Sequence, residues 1–388
     1  MRAVEGLIVR GGTALIEGEL RGADVVVADG RIRLDRGGVQ TGLSIDATGL
    51  LVLPGLVDVH GDAFERQMMP RPGVDIDIGL ALVETDQQLV ANGITTAFHG
   101  VTRSWEPGLR DAANARRLLA AIEDLRGELA ADTRFHLRHE TYNLDGEDEI
   151  VAWIAARRID VVAFNDHMTG TIKVRHRPDK MRKMVERSGL DAAAFDALVE
   201  RVSARADEVP GSIARLAAAA QSAGVPTMSH DDMDVAQRRW FAALGVGVAE
   251  FPMTDAVAEA AIADGAPTVF GAPNVLRGGS HTGCPDAAQM AKQGLCSVLA
   301  SDYFYPALLQ APFILARRHG VPFAEAWALV AENAAAAVRL ADRGVLRDGL
   351  RGDVVVVDAR NDMRPRVVAT IAAGRLVHLS DGALLSAA

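Results

Sequence analysis

Cysteine is scarce in this chain: 388 residues hold two, Cys284 and Cys296. Their spacing shows no CxxC pattern, which supports neither a disulfide framework nor a zinc knuckle, and both read as plain buried thiols. Long apolar runs are also lacking. No stretch approaches the roughly 18 apolar residues that a membrane span requires. The opening Met1-Arg2-Ala3-Val4-Glu5-Gly6 has neither the basic start nor the apolar segment of a signal peptide. A cytoplasmic protein with no membrane partner is the expectation. Net positive charge is missing too. A formal charge of -10 argues against a nucleic-acid partner, because such proteins carry basic surfaces to meet phosphates. An anionic small molecule remains compatible, provided that a local basic cluster overrides the global field. A homo-oligomer is neither required nor excluded by the sequence.

What is present is the composition of an ordinary globular protein, 49% apolar and 24% charged, long enough to bury a large core. Its two ends are alike. Residues 1–53 carry short alternating runs such as Gly6-Leu7-Ile8-Val9-Arg10, with Asp29-Gly30 as a hairpin signal. Residues 346–388 repeat the style in Asp353-Val354-Val355-Val356-Val357-Asp358 and Val367-Val368-Ala369-Thr370-Ile371. The economical reading is one small antiparallel β-domain built from both termini.

Residues 54–345 alternate helix and strand. The spacing predicts a helix from Ile78 to Asn92, capped by Asp77 and ended by Gly93, before the β-branched Ile94-Thr95-Thr96-Ala97-Phe98. Helix, glycine, strand recurs at Gly224, Gly245, Gly265 and Gly294. Strands near 56, 94, 135, 161, 226, 246, 267 and 296 make eight, the number of a (β/α)8 barrel of the TIM type. Residues 168–210 interrupt the rhythm. With Lys173, Arg175, His176, Arg177, Lys180, Arg182 and Lys183, this insertion reads either as a positively charged lid or as a solvated helix face.

Polar residues gather where the barrel strands end. Val57-Asp58-Val59-His60-Gly61-Asp62 is the first such segment, and alternation turns His60 and Asp62 to the same side. Later segments end at Phe98-His99, His139-Glu140, Asp166-His167, His230-Asp231, Ala272-Pro273-Asn274 and Ser301-Asp302. A lone histidine at a strand end is more often structural than a ligand. His60, Asp62, Glu140, His167, His230 and Asp302 together form a metal-ligand set of imidazoles and carboxylates. That set suits one or two divalent ions, zinc first, with manganese or iron as alternatives. Glu140 is the candidate bridge between two ions, with His139 as its competitor because adjacent residues face opposite sides. Asp166, Asp231 and Asp232 read as carboxylates that orient ligating histidines, or one of them as a ligand itself.

Substrate contacts are sought among the cations. The segment from Gly271 to Gly283, with Arg277 and His281, is rich in glycine and either wraps phosphate oxygens or is simply a turn. It lacks the GKS or GKT ending of a P-loop. Arg71, stiffened by Pro70 and Pro72, and Lys173 complete the candidates.

These segments resemble the amidohydrolase superfamily, over essentially the whole chain. The likeness rests on both termini forming a small β-domain, on Leu53-Pro54-Gly55-Leu56-Val57-Asp58-Val59-His60, and on an Asp at the eighth strand. His60-Gly61-Asp62, Pro70-Arg71-Pro72, Ser229-His230-Asp231-Asp232, Ala249-Glu250-Phe251-Pro252, Gly271-Ala272-Pro273-Asn274, Arg277-Gly278-Gly279-Ser280-His281 and Ser301-Asp302-Tyr303 are similar to the superfamily's phosphonate-metabolism branch, tied to the carbon-phosphorus lyase pathway. That resemblance implies hydrolysis of α-D-ribose 1-methylphosphonate 5-triphosphate to the 5-phosphate and diphosphate. The expected mechanism is attack by a metal-bound hydroxide, with Asp302 accepting the proton and cations or Arg277, His281 and Lys173 stabilising the departing diphosphate. The chain departs from the superfamily's pattern in three ways. It has His-Gly-Asp for the usual His-x-His, Glu140 where a lysine commonly bridges, and its candidates one strand earlier than the usual order. A carbon-nitrogen hydrolase is the rival expectation, and a metal-free binding relative the third.

Overall fold

The computed structural model describes residues 6–34, 41–71, 73–280 and 283–387. Eight parallel strands form the central sheet: Leu56–Gly61, Ile94–Arg103, Asp132–Glu140, Val161–Asn165, Thr227–His230, Val248–Glu250, Thr268–Gly271 and Val298–Ala300. They are referred to as barrel strands one to eight. Each pairs in parallel with the next, and helices connect them, as the helix, glycine, strand unit predicts. The predicted helix is found at Ile78–Ala91, with the Asp77 side chain accepting from the Leu80 N–H and Gly93 at φ 79°.

Strands one and eight close the ring at their carboxyl ends. The Asp302 N–H donates to the His60 carbonyl at 2.9 Å, and the Asp62 N–H donates back to the Asp302 carbonyl at 2.9 Å. Asp58 adds to this seam from strand one, accepting from the Ser301 N–H at 2.9 Å and from the Ser301 hydroxyl. Lower down the strands part, and the chain at Leu329 and Val330 fills the gap by accepting from the Leu299 and Val57 N–H groups. The seam is tight. A Cβ on Gly61 would meet the Asp58 carboxylate at 2.6 Å and the Ser301 hydroxyl at 3.1 Å, so the middle of His-Gly-Asp has room for nothing larger.

Small and branched residues fill the ring: Val57, Val59, Val161, Ala163, Met228, Val248, Val269, Val298 and Ala300, with Phe98. Above this dry layer the inward positions become polar, which is where ligands sit in barrels of this kind.

Both termini build two further sheets. One is ordered Leu385–Ala387, Thr41–Asp46, Gly6–Arg10, Val25–Ala28, Arg31–Arg33. The other is ordered Arg375–Leu379, Arg366–Ala372, Val354–Asp358, Leu51–Pro54, Thr13–Ile16, Glu19–Gly22. Asp29 and Gly30, at φ 54° and 72°, make the expected hairpin turn. The sheets are mainly antiparallel, with parallel pairs at Gly6–Arg10 with Thr41–Asp46 and at Thr13–Ile16 with Leu51–Pro54. One face packs on a core of Leu7, Val9, Ile45, Val354 and Ile371, and residues such as Leu53 and Val355 join the barrel's own core.

The insertion after strand four forms helices His167–Val174, Pro178–Ser188 and Ala192–Ser203. Met168, Met181, Phe195 and Val199 hold them in a small core of their own. Among the described residues no helix is long and apolar enough to cross a membrane.

Candidate active site

A cavity of about 290 Å³ opens at the carboxyl ends of the barrel strands, lined by His60, Arg138, His167, His230, Arg277 and Asp302 among others. Its floor is organised by Glu250, the last residue of strand six, which is fully buried. One carboxylate oxygen lies 2.7 Å from His60 Nδ1 and the other 2.7 Å from His230 Nδ1. Both imidazoles therefore donate downward to one carboxylate and turn Nε2 away from it. The two rings stack at 5.5 Å between centroids and 25° between planes, and Phe251 meets each edge-on. Such a carboxylate fixes the tautomer and the direction of metal-binding histidines.

A third imidazole completes the floor. His136, on strand three, donates from Nδ1 to the Val59 carbonyl at 2.9 Å, so its Nε2 carries a lone pair. Among the described residues that Nε2 has no hydrogen-bond partner, and it lies 3.9 Å from Glu250. Burial pushes its pKa down to about 3, which keeps it neutral. For Glu250, burial opposes the charge, but the charge of His60 and the hydrogen bonds from His230 and His60 outweigh it and hold the carboxyl well below the usual range. Burial likewise opposes a charged His60, and Glu250 reverses the sign, so that its pKa is raised. Ligand atoms of His60, His136 and Glu250 all lie within 4.8 Å of one another, a group that could hold a metal ion. The unpartnered lone pair beside an ionised carboxylate is a buried arrangement that a cation would satisfy.

Three residues just beyond strand ends adopt left-handed backbone: Asp231 at φ 60°, Phe251 at 53° and Asp302 at 55°. Such conformations are strained for these side chains and persist only where the surroundings impose them. Here each N–H is tied to another strand's side of the ring: Asp231 to the Glu250 carbonyl, Phe251 to that of Val269 and Asp302 to that of His60. The sharp turn brings Asp302 over the mouth. Burial, and next to it the neighbouring Asp62, push the Asp302 carboxyl up to about 6.

The sequence-predicted residues are distributed as follows. His60, His167, His230 and Asp302 line the one cavity. Asp62 joins them through the seam and through Arg138, whose NH1 lies 3.4 Å away. Glu140 faces inward and accepts from His167 Nδ1 and from the His167 N–H, while His139 packs on the outer side against Phe164. Burial opposes the charge on Glu140, but His167 holds its pKa low, and Glu140 in turn raises that of His167. Asp231 lines the cavity with an oxygen 3.6 Å from His230 Nε2.

Other expectations change. Among the described residues Asp166 orients no histidine: it caps the helix His167–Val174, accepting from the Thr169 N–H and hydroxyl, the usual use of Asp at that position. Asp232 likewise bonds Ser229 and Arg238 rather than an imidazole. The glycine-rich segment begins as a short helix, Ala272–Arg277, whose end places Arg277 on the cavity rim. Lys173 and Arg71 are exposed and stand outside the lining, and His281 lies outside the described residues. Cys284 is only partly buried and lines the cavity, while Cys296 is buried as expected, its pKa raised by burial.

Glu250, His136, Arg138 and Asn165 were not singled out by sequence. Asn165 ends strand four with both side-chain polar atoms buried and, among the described residues, unpartnered. The available signal was alternation: His136, Arg138 and Glu140 are two residues apart on one strand, and so share its inner face.

No known family profile matches the chain. Over 369 residues it is 31% identical to the alpha-D-ribose 1-methylphosphonate 5-triphosphate diphosphatase of Escherichia coli (strain K12), spanning 92% of this chain and 94% of that protein. The chain belongs to this diphosphatase family. Solved structures add the fold. An amidohydrolase superimposes with a TM-score of 0.64 at 16% identity, covering 97% of this chain and 99% of that one. Molinate hydrolase does so at 0.61 and 15%, covering 97% and 95%. The chain thus has the fold of these hydrolases, and as a member of the diphosphatase family it is a hydrolase.

Proposed function

We propose that the protein hydrolyses α-D-ribose 1-methylphosphonate 5-triphosphate, releasing the 5-phosphate and diphosphate, in a metal-dependent reaction. The observation that carries this reading is full-length likeness to an enzyme of that name, combined with a cavity where Glu250 aims two imidazoles at one mouth opposite Asp302.

His60 and His230, with Asp302, Asp62 and His136 as neighbouring donors and Glu140 behind His167, are the residues that would hold one or two divalent cations. A cation held there supplies Lewis acidity, making water a better nucleophile and offsetting phosphoryl charge. The water oxygen bonds to the phosphorus nearest the ribose, the bridging oxygen leaves with diphosphate, and Asp302 takes the proton released by the water. A carboxyl raised to about 6 by burial is mostly ionised at neutral pH and still basic enough to accept a proton. Arg277 on the rim faces the outgoing diphosphate.

Phosphorus NMR of the metal-loaded enzyme with the ribose triphosphate, beside cyclic amides and nucleobases, tests the reading. Diphosphate is the expected product, and the Asp302→Asn enzyme should lose roughly 100- to 10,000-fold in turnover. Hydrolysis of an amide with no diphosphate release would move the enzyme to carbon-nitrogen chemistry.

A further inference from the structure

Arg138 sits in the middle of the site and has too few partners for a buried cation. It belongs to strand three, is 5% exposed and lines the cavity. Its NH1 lies 3.4 Å from Asp62 and its NH2 3.3 Å from His230 Nε2, both long beside the 2.7–2.9 Å of a good charge-assisted bond. Among the described residues its Nε has no partner.

Other buried arginines in the molecule are satisfied differently. Arg238 donates to Ser229, Asp232 and the carbonyls of Val248 and Val246. Arg343 donates to Thr96, Asp132 and Asp342. Arg103 leaves Nε and NH1 unbonded, but it pairs with Glu149, lies over the Trp153 ring and faces no described cavity. Arg138 alone among these four combines spare donors with a place on the wall of the candidate active site.

The chain makes room for it. A Cβ on Gly100, on strand two, would lie 3.1 Å from Arg138 Cδ and 3.1 Å from His60 Nε2, so glycine there lets the arginine stem and the imidazole lie side by side. The surroundings also need it. Asp62, Asp231 and Asp302 put carboxylates around the mouth, and a fixed guanidinium among them adds, beside any cation they hold, to the positive charge that draws an anion in. A guanidinium fork fits the oxygens of a phosphoryl group, whereas an amide carbonyl offers one neutral acceptor.

We infer that Arg138 is a specificity-determining residue that binds phosphoryl oxygens of the substrate and sets the preference for phosphorylated over neutral compounds. This rests on the preceding reading in one respect, that the substrate is a phosphate ester.

The test compares wild type, Arg138→Lys and Arg138→Met as metal-loaded enzymes, with metal content and circular dichroism measured on each. Inorganic diphosphate is the calorimetric probe, and turnover of the ribose triphosphate gives kcat and KM. Arg138→Met should bind diphosphate roughly 10- to 100-fold more weakly, with KM rising more than kcat falls and metal content unchanged. Lysine should restore part of the binding, and added methylguanidine part of the turnover. Diphosphate binding at wild-type strength in a folded Met variant overturns the inference. So does loss of metal in both variants, which would make Arg138 a structural member of the metal site. If wild type binds diphosphate through Arg138 yet releases none from the triphosphate, the assigned reaction fails and this inference survives.

Discussion

Glu250 and Glu140 both hold histidines at the barrel mouth, from different depths. Glu250 works from the floor, its side chain fully buried, gripping His60 and His230, whose side chains are 1% and 6% exposed. Glu140 works near the rim and grips His167, which is 42% exposed. The partners of Glu250 lie on barrel strands, so strand register sets the geometry. His167 is instead the first residue of a helix beyond strand four, so that pair depends on how the helix is started. One unit is fixed by the ring and the other by a loop's departure from it.

The comparison breaks most sharply at Glu250. Glutamine has one carbonyl acceptor where glutamate has two oxygens, so only one of the two Nδ1–H donors keeps its partner. Glu250→Gln should lower affinity for zinc or manganese by roughly 10- to 100-fold, read by titration of the metal-free enzyme. Wild-type affinity would remove Glu250 from the centre. Glu140→Gln disturbs a single, more solvated imidazole. Its metal affinity should fall by about tenfold at most, at the low end of such effects, and a loss larger than that of Glu250→Gln would invert the ranking. The smallest effect belongs to Asp166→Ala, which removes the cap beneath His167 at about 1 kcal/mol of local stability. Amide exchange should quicken in His167–Val174 while the barrel's melting temperature moves by less than about 4 °C. Equal quickening along the barrel strands would show that the helix start is not a separate unit.

The same contrast explains what the sequence disclosed. The ring was legible because glycine-ended helices and β-branched strands repeat, and because local chemistry decides features such as the Asp77 cap and the Asp29-Gly30 turn. His60, His230 and Asp302 stood out as polar residues ending apolar strands. Glu250 obeys that same rule after Val248 and Ala249, but its strand is only three residues long and it lies inside a motif valued for likeness alone. Choosing between His139 and Glu140 needed register, which a single strand does not carry and the pairing with Val161–Asn165 supplies. Asp166 and Asp232 misled because an acid beside a histidine in sequence caps a helix or salts an arginine as readily as it turns an imidazole. Lys173 has the charge, and Arg71 the fork and the stiff proline neighbours, that suit phosphate, but neither property says which way a helix or turn presents the side chain.

The bonds that join the first and last barrel strands run through the backbone of His60, Asp62 and Asp302 themselves. Sealing the cylinder and placing the proposed proton acceptor are consequently a single act of assembly. Heat or denaturant that frays this edge draws Asp302 away from the His60 backbone while most of the cylinder still stands, so if Asp302 takes the proton as proposed, catalytic power should fade before the fold does.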